Sequence, residues 1–173
     1  MAKKALLVID MLKDFIDKKG ALYCGPQASG IVPFIKSRIE EFRKAKDLVV
    51  FVMDSHEPDD TEFKLFGRHC VAGSGGAEPA AGLEPHKGDA IVKKTTYDGY
   101  HNSTLGTILE KGRIRDVYLT GVCTSICVME TAGSLSKRGY KVHIYKDGVA
   151  DFDQGAHKFA LERMKKIYGA EII

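Results

Sequence analysis

Cys127 is the residue of this chain best placed to act as a nucleophile. It lies in Thr120-Gly121-Val122-Cys123-Thr124-Ser125-Ile126-Cys127-Val128. An apolar run (Val117, Tyr118, Leu119) precedes this segment and reads as a buried strand, while Met129, Ala132, Leu135 and Ser136 follow at helical spacing. The thiol is therefore expected in the first turn of a helix rising from the carboxyl end of a strand. Unpaired N–H groups and the positive end of the helix dipole lower a thiol's pKa there and favour the thiolate. The alternative is a cysteine that merely packs, since free cysteine is among the most buried residue types.

An attacking thiolate needs a partner that takes its proton and later delivers one to the leaving group. Asp10 can do both if partly desolvated; otherwise it is a turn or cap residue. Lys94 beside them would stabilise the thiolate and hold the carboxylate. A solvated lysine at a strand end is its plainer reading. Lys93 should point to the opposite side of its strand by alternation.

A second constellation is Asp54-x-His56 followed by Glu62 and His69. Asp and His one residue apart on an extended chain can both reach one ion, and a later His completes three ligands. Three protein ligands with open positions mark a catalytic or substrate-polarising metal rather than a closed structural one. A surface loop also collects such residues by chance. Cys70 adjoins His69 and is expected to pack, because adjacent side chains diverge. His86, His101, His143 and His157 carry no spacing logic and read as surface or packing residues. Cys24 lies in a loop with Gly and Pro and has no assigned role.

These groups need a scaffold, and apolar β-rich runs alternate with helical patterns almost throughout. Strands are expected at Ala5–Ile9, Leu48–Met53, Ala90–Val92, Val117–Thr120, Val142–Tyr145 and Ala170–Ile173. Helices are expected at Ile31–Arg43, Ser103–Lys111, Thr124–Arg138 and His157–Ile167. Strands alternating with helices imply a parallel sheet with helices on both faces, and the unalternated apolar runs suit strands buried on both sides. The predicted fold is α/β, a three-layer α-β-α domain with a mostly parallel, Rossmann-like six-stranded sheet. In such sheets ligands bind outside the carboxyl ends of the strands. Asp10, Asp54 with His56, Lys94, and Val122 to Cys127 follow four of those ends. Residues 54–88 form an irregular stretch too long for a plain connection, and such loops are usually functional.

Size and composition narrow the class. No linker or repeat divides residues 1–173, so one domain is expected. With 26 basic and 23 acidic residues the net charge is only +3, and the charges are interspersed. That argues against nucleic acid or an anionic membrane as partner. No apolar run approaches a membrane span, and the start carries no signal-peptide pattern. Four cysteines in a chain this large make no disulfide framework, which suggests a reducing, cytoplasmic setting.

Four motifs together resemble the isochorismatase-like cysteine hydrolases, most closely their nicotinamidase branch. Val8-Ile9-Asp10-Met11…Asp14-Phe15 is similar to the family's opening strand, and Asp54-x-His56 with His69-Cys70-Val71-x-Gly73-Ser74-x-Gly76-Ala77-Glu78 to its metal loop. Lys94-x-x-Tyr97, closing with Ser103-Thr104-Leu105, resembles the lysine segment, and residues 120–128 match the nucleophile signature. The resemblance implies Cys127 as nucleophile, Asp10 as general acid/base and Lys94 as third member of a triad. It implies a cis peptide between Val122 and Cys123, with an oxyanion hole made by the backbone N–H groups of Cys123 and Cys127. It further implies a divalent metal on Asp54, His56 and His69, with Glu62 as a fourth ligand seen in some members. Zinc is the expected ion, with iron(II) or manganese(II) as alternatives. Phe15 would wall the ring pocket beside Tyr97 and Val122.

The chain departs from the family pattern in three places. Leu12 and Lys13 replace a polar Gln-Asn pair, and Asp98-Gly99-Tyr100 stands where Ser-Ala-Phe is usual. Both positions are expected to line the pocket and so bear on the substrate. Ser125 replaces a common aspartate and should affect local hydrogen bonding only. The resemblance implies deamidation of nicotinamide to nicotinate and ammonia through a thioester. The runner-up is a related cysteine hydrolase acting on another small amide or an N-carbamoyl compound. A different class, a thiol redox or binding protein, would pair Cys123 with Cys127, whose Cα atoms would lie about 6 Å apart in a helix. Members of such a family are often oligomers, which leaves a homo-oligomer open.

Overall fold

The computed structural model describes residues 3–173. Its six strands are β1 (Lys3–Ile9), β2 (Leu48–Asp54), β3 (Ala90–Lys94), β4 (Ile114–Val122), β5 (Lys141–Ala150) and β6 (Glu171–Ile172). They form one parallel sheet in the order β3-β2-β1-β4-β5-β6. Each expected strand is present, β4 and β5 being longer and β6 shorter than their apolar runs. The chain reverses its direction of sheet growth between β1 and β4, which is where a crevice opens in a doubly wound sheet.

Both faces of the sheet are covered. Ala5, Leu7 and Ile9 of β1 pack toward Leu105, Leu109, Val128, Leu135 and Met164. These come from α5 (Leu105–Lys111), α6 (Met129–Lys137) and α7 (Gln154–Tyr168), with the turn that precedes α6. Leu6 and Val8 face the other way, toward Ile35, Ile39 and Phe42 of α3 (Val32–Ala45). Two buried faces explain why β1 reads as a continuous apolar run. The short helices α1 (Lys13–Ile16), α2 (Pro26–Gly30) and α4 (Phe63–Phe66) lie in the connections that follow β1 and β2. No helix among the described residues is long and apolar enough to cross a membrane.

Two local features shape the sheet edge at the crevice. Gly121 has φ +116°, and a Cβ there would stand 1.9 Å from the carbonyl oxygen of Ile9, so only glycine lets β4 run this close to β1. Residues Thr124–Val128 form a π turn before α6, the Val128 N–H donating to the Cys123 carbonyl at 3.2 Å. The expected regular helix from Thr124 is therefore widened in its first turn. Such insertions recur at functional sites.

Candidate active site

Asp10, Lys94 and Cys127 meet at the carboxyl edge of the sheet, all three buried. Strand register does the placing. Asp54 pairs with Lys94 across β2 and β3, and Ile9 pairs with Gly121 across β1 and β4. Asp10 then leaves the sheet in the left-handed region at φ +52°, its N–H donating to the Val52 carbonyl at 2.8 Å. A non-glycine residue in that conformation is uncommon and clusters at functional sites. Its Oδ1 accepts the Asp54 N–H at 2.9 Å, which fixes the carboxylate. Lys94 Nζ stands 2.8 Å from Asp10 Oδ2 and 3.6 Å from Cys127 Sγ, and it also pairs with Asp54 Oδ1. Lys93 is exposed on the other side of β3, as alternation predicts.

Electrostatics in this cluster differ from the simple helix-start expectation. Burial pushes the Cys127 thiol up, Lys94 pulls it down, and the charges of Asp10 and Asp54 push it up again. The outcome lies above the ordinary thiol range, opposite in direction to the expectation from the helix start. Desolvation outweighs the helix start because the sulfur sits between two carboxylates with one cation. Burial, then the Asp54 charge, raises Asp10 to about 6 against the pull of Lys94. Burial disfavours charge on Lys94, but Asp10, Cys127 and Asp54 hold its pKa well above the ordinary lysine range. A thiol beside a carboxylate that titrates near neutrality, held by a permanent cation, is the arrangement a proton-transfer nucleophile requires.

The second constellation lies beside the first. After β2 the chain folds back, and His56 makes a one-residue bridge with Val71: its N–H donates to the Cys70 carbonyl, and its carbonyl accepts from Ala72. This return, which pairs the two segments in parallel, brings His69 to His56, their ring centroids 4.8 Å apart. Donor atoms of Asp54, His56 and His69 lie within 4.8 Å of one another, all buried. Each imidazole has its Nδ1 engaged, His56 with Asp60 Oδ2 and His69 with the Gly67 carbonyl, both at 2.9 Å. That leaves the Nε2 atoms facing the cluster, and Nε2 of His56 is buried without a hydrogen-bond partner. Burial opposes a charge on His56, yet the neighbouring Asp54 and Asp60 carboxylates push its pKa up to about 9. The donor set fits a divalent cation. Glu62 Oε1 lies 3.7 Å from His69 Nε2, but Glu62 falls outside the group of three.

Both constellations border one cavity of about 350 Å³. Asp10, Cys127, Asp54, Glu62 and His69 supply its polar side. Phe15, Tyr97 and Val122 line it as expected, together with Leu22, Tyr23, Ile126, Phe66 and Phe152. The Val122–Cys123 peptide is cis.

The departures from the family pattern lie elsewhere, which corrects the expectation that they line the pocket. Leu12 is buried in the α3-side core, and Lys13 pairs with Glu78. Asp98 accepts from Ser134, Gly99 donates to Thr131 Oγ1, and Arg138 stacks over Tyr100. Ser125 acts through its backbone, the N–H donating to Asp151 Oδ2 at 2.8 Å.

Sequence reasoning missed several supporting residues. Asp60 orients His56 and could have been found from its i+4 spacing to that histidine. Asp14 Oδ2 accepts the Cys70 N–H at 2.7 Å and its Oδ1 the Ala21 N–H at 3.1 Å, tying the metal loop to α1. A Cβ at Gly76 would strike that carboxylate at 2.1 Å. Asp151 is fully buried and holds the turn before α6, as does His157, whose Nδ1 meets Thr124 Oγ1 at 2.9 Å. No local signal marked either. Cys70 packs as expected, His86 and His101 are exposed, and His143 stacks on Tyr118 between Asp116 and Glu171.

The isochorismatase domain model matches residues 4–173. The solved structure of the nicotinamidase/pyrazinamidase PncA from Bacillus subtilis superposes with a TM-score of 0.94 at 35% identity, covering 98% of each chain. The pyrazinamidase of Pyrococcus horikoshii, solved in complex with zinc, gives 0.93 at 30%, covering 99% of this chain and 98% of the other. The N-carbamoylsarcosine amidase of Thermoplasma acidophilum gives 0.89 at 34%, covering 98% and 95%. With the domain match spanning nearly every residue, the chain belongs to the isochorismatase family, as a hydrolase of amide C–N bonds.

Proposed function

We propose that the protein is a metal-assisted cysteine amidohydrolase that deamidates nicotinamide to nicotinate and ammonia. The observation that carries this reading is the opening of the Asp10–Lys94–Cys127 cluster and the Asp54–His56–His69 set onto the same largely apolar cavity. Aromatic walls suit a flat ring, and the polar side suits a carboxamide pointing at Cys127. Asp54, His56 and His69 would hold the ion, zinc before iron(II) or manganese(II), with Glu62 beside His69 as the further ligand. When bound, that ion would supply a Lewis acid toward a basic nitrogen of the substrate.

Asp10, ionised above about 6, takes the proton of the Cys127 thiol. The sulfur bonds to the carboxamide carbon, and the carbonyl electron pair moves to oxygen, facing the N–H groups of Cys123 and Cys127. Asp10 then gives its proton to the amide nitrogen, the C–N bond breaks, and ammonia leaves a thioester on Cys127. Water attacks the thioester as Asp10 takes its proton, and the returning proton restores the thiol. Lys94 holds Asp10 in line throughout and favours its ionised form between proton transfers. A cytoplasmic setting belongs to this reading and is supported by four thiols with no disulfide among them.

Ammonia release from nicotinamide tests the reading. Wild-type protein should release it, and Cys127→Ala should not; undiminished release by that variant contradicts the assignment of the nucleophile. A second reading, an N-carbamoyl substrate, is supported by the similarity to N-carbamoylsarcosine amidase. Metal content discriminates the two: full turnover of an N-carbamoyl compound by metal-free protein, with none of nicotinamide, favours the second.

A further inference from the structure

Cys123 was expected to matter through its backbone, or else to pair with Cys127. Its sulfur does neither. Cys123 Sγ stands 3.5 Å from Cys24 Sγ, a residue 99 positions away in the loop after α1. Both thiols are buried in the protein matrix, at 8% and 2% exposure, yet both border the substrate cavity. We propose that Cys24 and Cys123 form an oxidisable dithiol in the cavity wall, which a small peroxide entering through that cavity closes to a disulfide.

The geometry needs little change. A disulfide brings two sulfurs to about 2.05 Å, so the pair must approach by about 1.5 Å, within reach of side-chain rotation. Either sulfur can be the donor in this contact, and Cys24 Sγ also lies 3.5 Å from the Leu22 carbonyl oxygen. When Cys24 is the sulfur that attacks the peroxide, Cys123 is the one that resolves it. The Cys24 S–O bond forms as the O–O bond breaks, giving a sulfenic acid and one water. Cys123 sulfur attacks that sulfenic sulfur, and the hydroxide leaves with the Cys123 proton as a second water. Two thiols and one peroxide become one disulfide and two waters.

The consequence follows from what Cys24 carries with it. Leu22 and Tyr23, next to it in the chain, are also cavity walls, and the Cys24 N–H donates to Phe15, a third wall residue. Joining this loop to the end of β4 draws the wall toward the Cys123 peptide and narrows the space beside Cys127. Oxidised protein should lose amidase activity and regain it with dithiothreitol.

The test maps thiols in the native chain and in Cys127→Ala, each titrated with hydrogen peroxide, alkylated, digested and weighed. The expected result is a cross-linked peptide pair containing Cys24 and Cys123 in both proteins, removed by dithiothreitol and absent from Cys24→Ser. Cys24 and Cys123 both remaining alkylatable in native protein overturns the proposal, as does a link between Cys123 and Cys127. This mapping needs no turnover, so it stands or falls separately from the amidase reading.

Discussion

The cluster of Asp10, Lys94 and Cys127 and the loop that carries His56 and His69 adjoin each other but are held in different ways. The first is fixed by strand register at the centre of a parallel sheet, with β1 and β4 in contact through Gly121. The second hangs on a one-residue bridge between His56 and Val71, on the Asp14 carboxylate and on Asp60. Rigid placement suits the bond-making group, whose geometry tolerates little error. A loop tied by a few polar contacts suits the group that selects and orients. Damage to the first region should therefore appear in chemistry and stability, and damage to the second in metal and substrate binding.

The largest effect should come from Cys127→Ala, with kcat for ammonia release falling by about 10⁴-fold or more while the melting temperature stays close to wild type. Next is Lys94→Met, which strands Asp10 and Asp54 as unpaired buried carboxylates. Removing one partner of a buried ionic group costs about 3–5 kcal/mol, so calorimetry should show a drop in Tm on the order of 10 °C. An unchanged Tm would mean that the cluster is not held as described. Asp60→Ala should act on the other region only. Loss of the carboxylate that orients His56 should weaken metal affinity by about 10–100-fold in a chelator competition, with Tm of the metal-free protein little altered.

The smallest effect is a pH profile. Asp10 must be ionised to take the thiol proton, and its pKa is raised to about 6 by burial and by Asp54. kcat/KM should accordingly hold above that value and fall as pH drops through it, by about tenfold per unit well below. A profile flat down to pH 4 would remove Asp10 from the base role.

These regions also differed in how far the sequence disclosed them. Asp10, Asp54, Lys94 and Cys127 were legible because parallel strands buried on both faces read as plain apolar runs, and the chemistry stands just past their ends. His56 and His69 were legible as a spacing, but not the fold-back at Val71 that joins them. Asp14 and Asp151 were not, because their work consists of accepting backbone N–H groups 56 and 26 residues away, which leaves no local pattern. The direction of the Cys127 shift was hidden for a related reason. A helix start is visible in sequence, whereas the burial and the two neighbouring carboxylates that outweigh it arise only on folding. The pairing of Cys24 with Cys123 across the chain was hidden in the same way.

The central claim is that Cys127 sulfur bonds to the carbon of the amide. Acid-quenching the protein during turnover of nicotinamide, followed by peptide mass mapping, tests it most directly. The account predicts a nicotinoyl thioester on the peptide bearing Cys127 and on no other cysteine. Ammonia released at the full rate with no acyl group on Cys127, or with the group on Cys24, Cys70 or Cys123, would contradict it.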